Sequence, residues 1–327
     1  MQMRALGRTH ERVSALGFGC MGLVGWYGAR NDEESRATLL AAIERGVTHL
    51  DTASSYQLGE NEKFVGSVIR GCRERVFLAS KYGITRTADG TLIIDNRPES
   101  LREAVTQSLA RLATDRIDLY YLHRIDRSVP IEDSVGALAQ LIRAGHIRHI
   151  GLSECSVATL RRACAVHPIA AVQVEYSLWT REPETELLAA CRELGVGVVA
   201  YSPLGRGFLA GNFVSLDELP ADDARRNMPR FQDANAAHNA RIAAGVRELA
   251  GRKGVSPAQL ALAWVLAQGQ DILPIPGMKT RAHLEDNLGA LSVTLTAAEQ
   301  AGLRALVDEF GVRGERYPPA MLRALGG

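Results

Sequence analysis

Four residues of this chain have the types needed to put a proton on an oxygen: Asp51, Tyr56, Lys81 and His123. A free phenol, with a pKa of about 10, donates poorly at neutral pH. A neighbouring ammonium favours the ionised phenol, and a carboxylate keeps that ammonium charged and in place. An imidazole beside them can hydrogen-bond and orient a carbonyl oxygen. Such a set could protonate the alkoxide that forms when a hydride reaches a carbonyl carbon. Each residue alone has a plainer use. Asp51 before Thr52-Ala53-Ser54-Ser55 could be a turn or cap residue, Lys81 a solvated charge, Tyr56 a half-buried packing group and His123 a satisfied core histidine. Their joint placement is what points to chemistry.

That placement rests on the elements beneath them. Val47 to Asp51, Arg75 to Ser80 and Ile117 to Leu122 are short apolar, β-prone runs, each ending at one of these polar residues. Sites on α/β scaffolds sit beyond the carboxyl ends of strands. The alternation continues along the chain, with strands expected near 16–20, 47–51, 76–81, 117–123, 147–152, 171–176, 196–201 and 272–276. Helical periods fill 32–45, 60–70, 98–112, 131–144, 156–166, 182–194, 238–268 (broken at Gly254) and 280–289. Asn31 or Asp32 can cap the first helix, with Glu33 and Glu34 in its positive first turn and Gly46 as its stop. Pro98 suits a first helical position. Eight such units predict one (β/α)8 TIM barrel, which typically needs about 250 residues. The expectation is a single domain over 1–327, with a short hairpin at 1–15, a capped extra helix at 296–310 and a patternless tail at 311–327. Residues 205–237 form an insertion too long for an ordinary loop.

Lys+Arg 38 against Asp+Glu 37 leaves no electrostatic footprint for nucleic acid. Five cysteines, an odd number without a Cys-x-x-Cys pair, fit reduced thiols better than a disulfide framework or a zinc site. The start of the chain lacks an apolar leader, and no apolar run approaches a membrane span of about 18 residues. A soluble cytoplasmic protein without a metal is expected; His146 and His149, three apart in a strand, would point to opposite faces.

Gly17-x-Gly19-x-x-Gly22 followed by Asp51 superficially matches the dinucleotide fingerprint of open, doubly wound sheets. That fold would need a helix to begin at the third glycine. Leu23-Val24-Gly25-Trp26-Tyr27-Gly28 is a poor helix start, and the same glycines suit a barrel strand end where a ligand approaches bare backbone.

Taken with Gly17-Phe18-Gly19-Cys20-Met21-Gly22, Gly151-Leu152-Ser153, Tyr201-Ser202-Pro203-Leu204 and Ile275-Pro276-Gly277, the four residues resemble an aldo-keto reductase from roughly Val13 to Leu303. The resemblance implies reduction of aldehydes or ketones with NADPH, a weaker use of NADH, and an N-terminal hairpin closing the barrel bottom. Tyr56 would donate the proton, assisted by Lys81, Asp51 and His123. The cofactor would meet Gly19, Cys20, Met21 and Asp51, with Ser153, Glu154 and Gln173 at the nicotinamide carboxamide. Glu154 departs from the commoner asparagine. Tyr201 would stack on the nicotinamide, and Ser202, Pro203, Leu204, Gly205 and Arg206 would run beside the pyrophosphate. After the last strand, Gly277, Lys279, Arg281 and His283 match the segment that grips a 2′-phosphate, with Asp286 and Asn287 at the adenine.

Trp26, Tyr27, Tyr82 and Trp179 fall just beyond strand ends and could wall an apolar substrate pocket or simply pack the rim. Substrate choice would lie in loops 23–31, 82–97 and 205–237. Cys20 and Cys155 also fall at strand ends, where oxidation could impair the site. Two other classes are compatible with a barrel. One is a cofactor-binding regulatory or redox-sensing subunit like the potassium-channel β subunits that resemble this family. The other is a metal-dependent hydrolase, which the absence of His-x-His or clustered carboxylates at strand ends disfavours.

Overall fold

The computed structural model describes residues 1–327 except 88–90, 212–214 and 218. A hairpin of β1 (Met3–Ala5) and β2 (Arg12–Ser14) precedes eight parallel strands. These are β3 (Phe18–Gly19), β4 (His49–Asp51), β5 (Phe77–Tyr82), β8 (Ile117–Leu122), β9 (Ile147–Ser153), β10 (Ile169–Glu175), β11 (Gly197–Tyr201) and β12 (Ile272–Pro274). Between β5 and β8 the chain adds an antiparallel pair, β6 (Ile84–Arg86) and β7 (Leu92–Ile94). The parallel strands follow one another in chain order. Gly17 N donates to Pro274 O at 2.9 Å and Gly19 N to Pro276 O at 3.0 Å, joining the first strand to the last and closing the barrel.

Helices α1 (Asp32–Glu44), α2 (Glu60–Ile69), α3 (Pro98–Leu112), α4 (Ile131–Arg143), α5 (Val157–Val166), α6 (Leu187–Leu194), α7 (Asp233–Lys253), α8 (Pro257–Leu266) and α9 (Arg281–Gly289) surround it. Their ends carry the anticipated chemistry. The Asn31 side chain accepts from Glu34 N, Pro98 opens α3, and Gly254 in the left-handed region divides α7 from α8. The extra helix α10 (Ala297–Phe310) begins with a reciprocal capping box between Thr296 and Glu299.

The barrel interior is filled by Leu6, Val13, Phe77, Leu119, Tyr121, Val199 and Leu273, so the hairpin does plug its bottom. Tyr121 can lie there because residue 151 on the next strand has no side chain. A Cβ at Gly151 would meet the Tyr121 ring at 2.3 Å. A larger apolar layer packs the outer faces of the strands against the helices. Tightly packed strands leave chemistry to their carboxyl ends. Among the described residues, no helix is long and apolar enough to cross a membrane.

The tail does have a course. Gly326 N donates to Glu154 O at 2.9 Å and Ser156 N to Gly327 O at 3.0 Å, bringing residues 311–327, which include the short helix α11 (Pro319–Leu322), back over the strand ends. Its sequence offered no periodicity because side chains on the barrel, not local pattern, hold it.

Candidate active site

Asp51 is the last residue of β4 and Lys81 the fifth of β5, on neighbouring parallel strands in which Asp51 pairs with Ala79. The Lys81 ammonium, wholly buried, donates to Asp51 Oδ1, to Thr52 O at 2.7 Å and to Tyr56 Oη at 3.4 Å. The other Asp51 oxygen accepts from Gln173 Nε2 at 2.8 Å. Tyr56 is carried by a loop that Ser54 anchors, donating through both N and Oγ to Lys81 O. Asn61 ties the same loop to the first strand, accepting from Thr52 Oγ1 and donating to Cys20 O at 2.8 Å. His123 follows β8, its ring 5.9 Å from that of Tyr56 and nearly perpendicular to it. Ser55 Oγ lies 3.2 Å from His123 Nδ1.

The electrostatics are those of a dry site. Burial alone would discharge Lys81, but Asp51 and then Tyr56 outweigh it and hold its pKa above the ordinary value. Burial raises the Tyr56 phenol, and the Lys81 ammonium pulls it down by less, so the net shift is upward. The ammonium therefore does not make this phenol a stronger acid than free tyrosine, contrary to the sequence expectation; it moderates the effect of desolvation. Burial, then Arg124 and Lys81, hold His123 well below its ordinary pKa, hence neutral.

The set opens into a cleft of about 1020 Å³ that runs from Tyr56, His123 and Tyr82 past Ser153, Gln173 and Tyr201 to His283, Asp286 and Asn287. Gly19, Met21, Asp51, Ser202, Pro203, Leu204, Arg206, Gly277 and Lys279 line it between those ends, and Trp26 and Tyr27 overhang it. A Cβ at Gly19 would meet Ile275 O at 2.7 Å, so bare backbone is required there. Among the described residues, Asn287 Nδ2 has no hydrogen-bond partner, buried at the far end. Lys279 Nζ donates to Tyr27 O and Ala29 O, each at 2.6 Å, and Gly28 N donates to Asp223 at 2.9 Å. Loop 23–31 is thus strapped to both sides of the cleft.

Six residues singled out in the sequence, Trp179, Gly205, Arg281, Cys20, Cys155 and Glu154, stand off the cleft. Trp179 is a packing residue, buried against Phe208 and Phe231 with ring centroids 4.8 and 6.2 Å away. Gly205 covers that indole; a Cβ there would strike it at 2.6 Å. Arg281 points outward and grips Glu34 of α1 at 2.9 Å. Cys20 is buried, with its thiol pKa pushed up by desolvation, and so is Cys155, which makes neither an easy target for oxidation. Glu154, at a positive φ of 53°, turns away to accept from Glu175 N at 2.9 Å, Tyr201 Oη at 2.8 Å and Arg316 Nη1 at 3.1 Å. Arg206 is also engaged, at 3.0 Å from Glu175, although it still faces the cleft. Residues 88–90, 212–214 and 218 of the anticipated substrate loops lie outside the described residues. Among the described residues, no cluster of His, Cys, Asp and Glu could hold a metal.

The Aldo/keto reductase family description matches residues 15–308. The chain belongs to the aldo-keto reductase family. Aldo-keto reductase yakc of Schizosaccharomyces pombe, whose name carries the qualifier NADP(+), is 45% identical over 316 residues, 95% of this chain and 93% of that protein. Probable aldo-keto reductase 1 of Glycine max is 44% identical over 314 residues, 95% and 90% of the two chains. The glycerol dehydrogenase AKR11B4 of Gluconobacter oxydans superposes with a TM-score of 0.86 at 26% identity, covering 97% and 98%. The aldo-keto reductase Tm1743, solved with the inhibitor epalrestat, gives 0.75 at 32% identity, covering 94% and 100%. As a member of this family the protein is an oxidoreductase of the carbonyl-reducing kind.

Some of this aldo-keto reductase's site was missed in its sequence. Arg124 lines the cleft directly after His123, at a strand end where a charged residue warranted notice. Tyr317 and Met321 reach the cleft from the tail, with Tyr317 Oη 3.0 Å from Tyr201 Oη. No local signal could have found those two.

Proposed function

We propose that the protein reduces small aldehydes or ketones to alcohols, taking the hydride from NADPH, with NADH a weaker donor. The observation that carries this reading is the Lys81 ammonium, held by Asp51, 3.4 Å from a phenol that faces a long cleft. The cleft fits a dinucleotide. It offers bare backbone at Gly19 and Gly277, a cation at Lys279 and an unpartnered amide at Asn287 at the end away from Tyr56. A bound nicotinamide would supply the two electrons. Ser153 and Gln173 would hold its carboxamide, and Tyr201 would stack on its ring. Lys279, His283, Asp286 and Asn287 would take the adenosine end.

The remaining work belongs to the side chains. Tyr56 Oη donates its proton to the carbonyl oxygen as negative charge develops there. Lys81 stabilises the phenolate left behind, and Asp51, fixed by Gln173, keeps Lys81 charged. With the Ser55 hydroxyl donating to Nδ1, His123 carries its proton on Nε2 and presents it to the same oxygen. A group kept neutral by burial can donate there without repelling Lys81.

The test is NADPH oxidation with a panel of aldehydes, ketones and quinones, run beside Tyr56→Phe. Turnover that depends on the phenol supports the reading. A protein that binds NADPH yet reduces nothing in the panel would instead be a regulatory barrel.

A further inference from the structure

Arg124 differs from the other buried cations around the cleft. Arg206 and Arg230 both face Glu175, at 3.0 and 3.6 Å, and Arg316 faces Glu154 at 3.1 Å. Three guanidiniums therefore share two carboxylates, and Arg124 is left without one in contact. It is 7% exposed, and among the described residues no carboxylate lies within 4.0 Å of it. Its Nη1 donates to His123 O at 2.7 Å and to Ser153 Oγ at 3.3 Å. Among the described residues Nε and Nη2 make no hydrogen bond, although Arg124 lines the cleft beside His123. Glu154, already engaged by Arg316, acts on Arg124 only from beyond 4.0 Å, and a buried, permanently charged fork with no carboxylate in contact is costly. The missing partner is then a ligand.

The position of Arg124 says which ligand. Lys279 and Asn287 mark the end of the cleft suited to the adenosine phosphate, whereas the electrostatic neighbours of Arg124 besides Glu154 are Tyr201, Tyr317 and Tyr56. A nicotinamide carboxamide could accept a hydrogen bond here but carries no charge to offset a guanidinium. We infer that Arg124 is a specificity-determining residue that binds an anionic substituent of the substrate, a carboxylate or similar planar oxyanion attached a few bonds from the carbonyl that Tyr56 and His123 address. This rests on the reductase reading above and names its substrate class: carbonyl acids in preference to neutral carbonyls. Two parallel N–H···O bonds from the free edge of the guanidinium would hold the carboxylate.

The test compares 4-carboxybenzaldehyde with methyl 4-formylbenzoate, which has the same aldehyde on the same ring without the charge. The parent protein should show a kcat/KM for the acid at least about tenfold above that for the ester. Arg124→Met should bring that ratio to one or below, and Arg124→Lys should keep part of it. Circular dichroism and melting establish that both variants are folded. Benzoate titrated calorimetrically into the NADP+-loaded protein provides a readout independent of turnover, and should bind the parent and not Arg124→Met. Equal kcat/KM for acid and ester in the parent would overturn the assignment. So would an Arg124→Met protein that loses NADPH and both aldehydes alike, since Arg124 would then be a prop of the cofactor end. If the parent reduces neither of these aldehydes nor any member of the wider carbonyl panel, the reductase reading fails by itself, and the benzoate titration still decides whether Arg124 is an anion site.

Discussion

Lys81 and Tyr56 meet across 3.4 Å between a fully buried ammonium and a phenolic oxygen. The distance matters because no other cation donates to that phenol among the described residues. Removing the proton donor in Tyr56→Phe should lower kcat by about 100- to 10,000-fold, with NADPH affinity retained. Stopped-flow hydride transfer and a fluorescence titration of NADPH check the two halves. Lys81→Met should lose activity as well, and it should also destabilise the fold by roughly 3–5 kcal/mol by stranding the Asp51 carboxylate in the interior. Urea unfolding separates the two variants: Tyr56→Phe should stay near the parent.

His49 sits two residues before Asp51 inside the barrel, fully buried, and among the described residues neither ring nitrogen has a hydrogen-bond partner. Its edge meets the Phe77 ring at 5.8 Å. Burial lowers its pKa to about 4, opposed by Asp51 and reinforced by Lys81. A histidine depressed in the folded state binds its proton first in the unfolded chain. Stability from this residue is therefore complete above pH 6.5 and is lost as the pH falls from 6.5 toward 4. Full loss over that window is about 3 kcal/mol, at about 1.4 kcal/mol per pH unit. His49→Met should flatten the fall in unfolding free energy between pH 6.5 and 4. A slope identical to the parent's would show that other groups carry the acid sensitivity.

The barrel was legible in the sequence because its strands are buried on both faces and read as unbroken apolar runs, and because Gly46, Gly145, Gly195 and Gly254 mark helix ends. The four residues proposed for catalysis stood out together because Asp51, Lys81 and His123 fall where apolar runs stop and Tyr56 follows one short polar loop later. Trp179 was left open between pocket wall and rim packing because an aromatic beyond a strand end looks the same whether it faces a cleft or Phe208. Arg281 was misplaced because its partner, Glu34, lies on the first helix, 247 residues away. Tyr317 and Arg316 were invisible for a similar reason: their partners Tyr201 and Glu154 lie at distant strand ends.

Cys20 and Cys155 sit at strand ends, but burial raises both thiols. The thiolate is the form that reacts. Peroxide at concentrations that oxidise exposed thiols should leave activity intact, with both cysteines unmodified in mass spectra. Loss of activity tracking modification of Cys20 would contradict their burial.

Lys279 both faces the cleft and straps loop 23–31 through Tyr27 O and Ala29 O. Arg281 is committed to Glu34, so the proposed contact to a 2′-phosphate falls to Lys279. Lys279→Glu should raise KM for NADPH far more than for NADH, because only the former carries the phosphate. An equal rise for both would remove the phosphate assignment and leave Lys279 as a strap. Lys279→Met would then mimic it by loosening the loop alone.

Glu154 provides the last case, because its carboxylate, buried and held below its ordinary pKa chiefly by Arg316 and Arg124 against the cost of burial, anchors the tail. Glu154→Ala would leave Arg316 without its carboxylate and free the Tyr201 hydroxyl. Breaking a buried pair from one side costs about 3–5 kcal/mol, whereas replacing both partners by apolar groups is far milder. Arg316 and Tyr201 are partly reached by solvent, so a value at or below the low end, about 3 kcal/mol, is expected for Glu154→Ala in urea unfolding. The double variant Glu154→Leu/Arg316→Met should recover a good part of that loss. Tyr317, whose neighbour supplies this anchor, should become accessible in both proteins, and faster proteolysis after residue 311 would report it. A double variant as unstable as the sum of its parts would mean that the tail is held by its backbone bonds to Glu154 O and Ser156 N rather than by this ion pair.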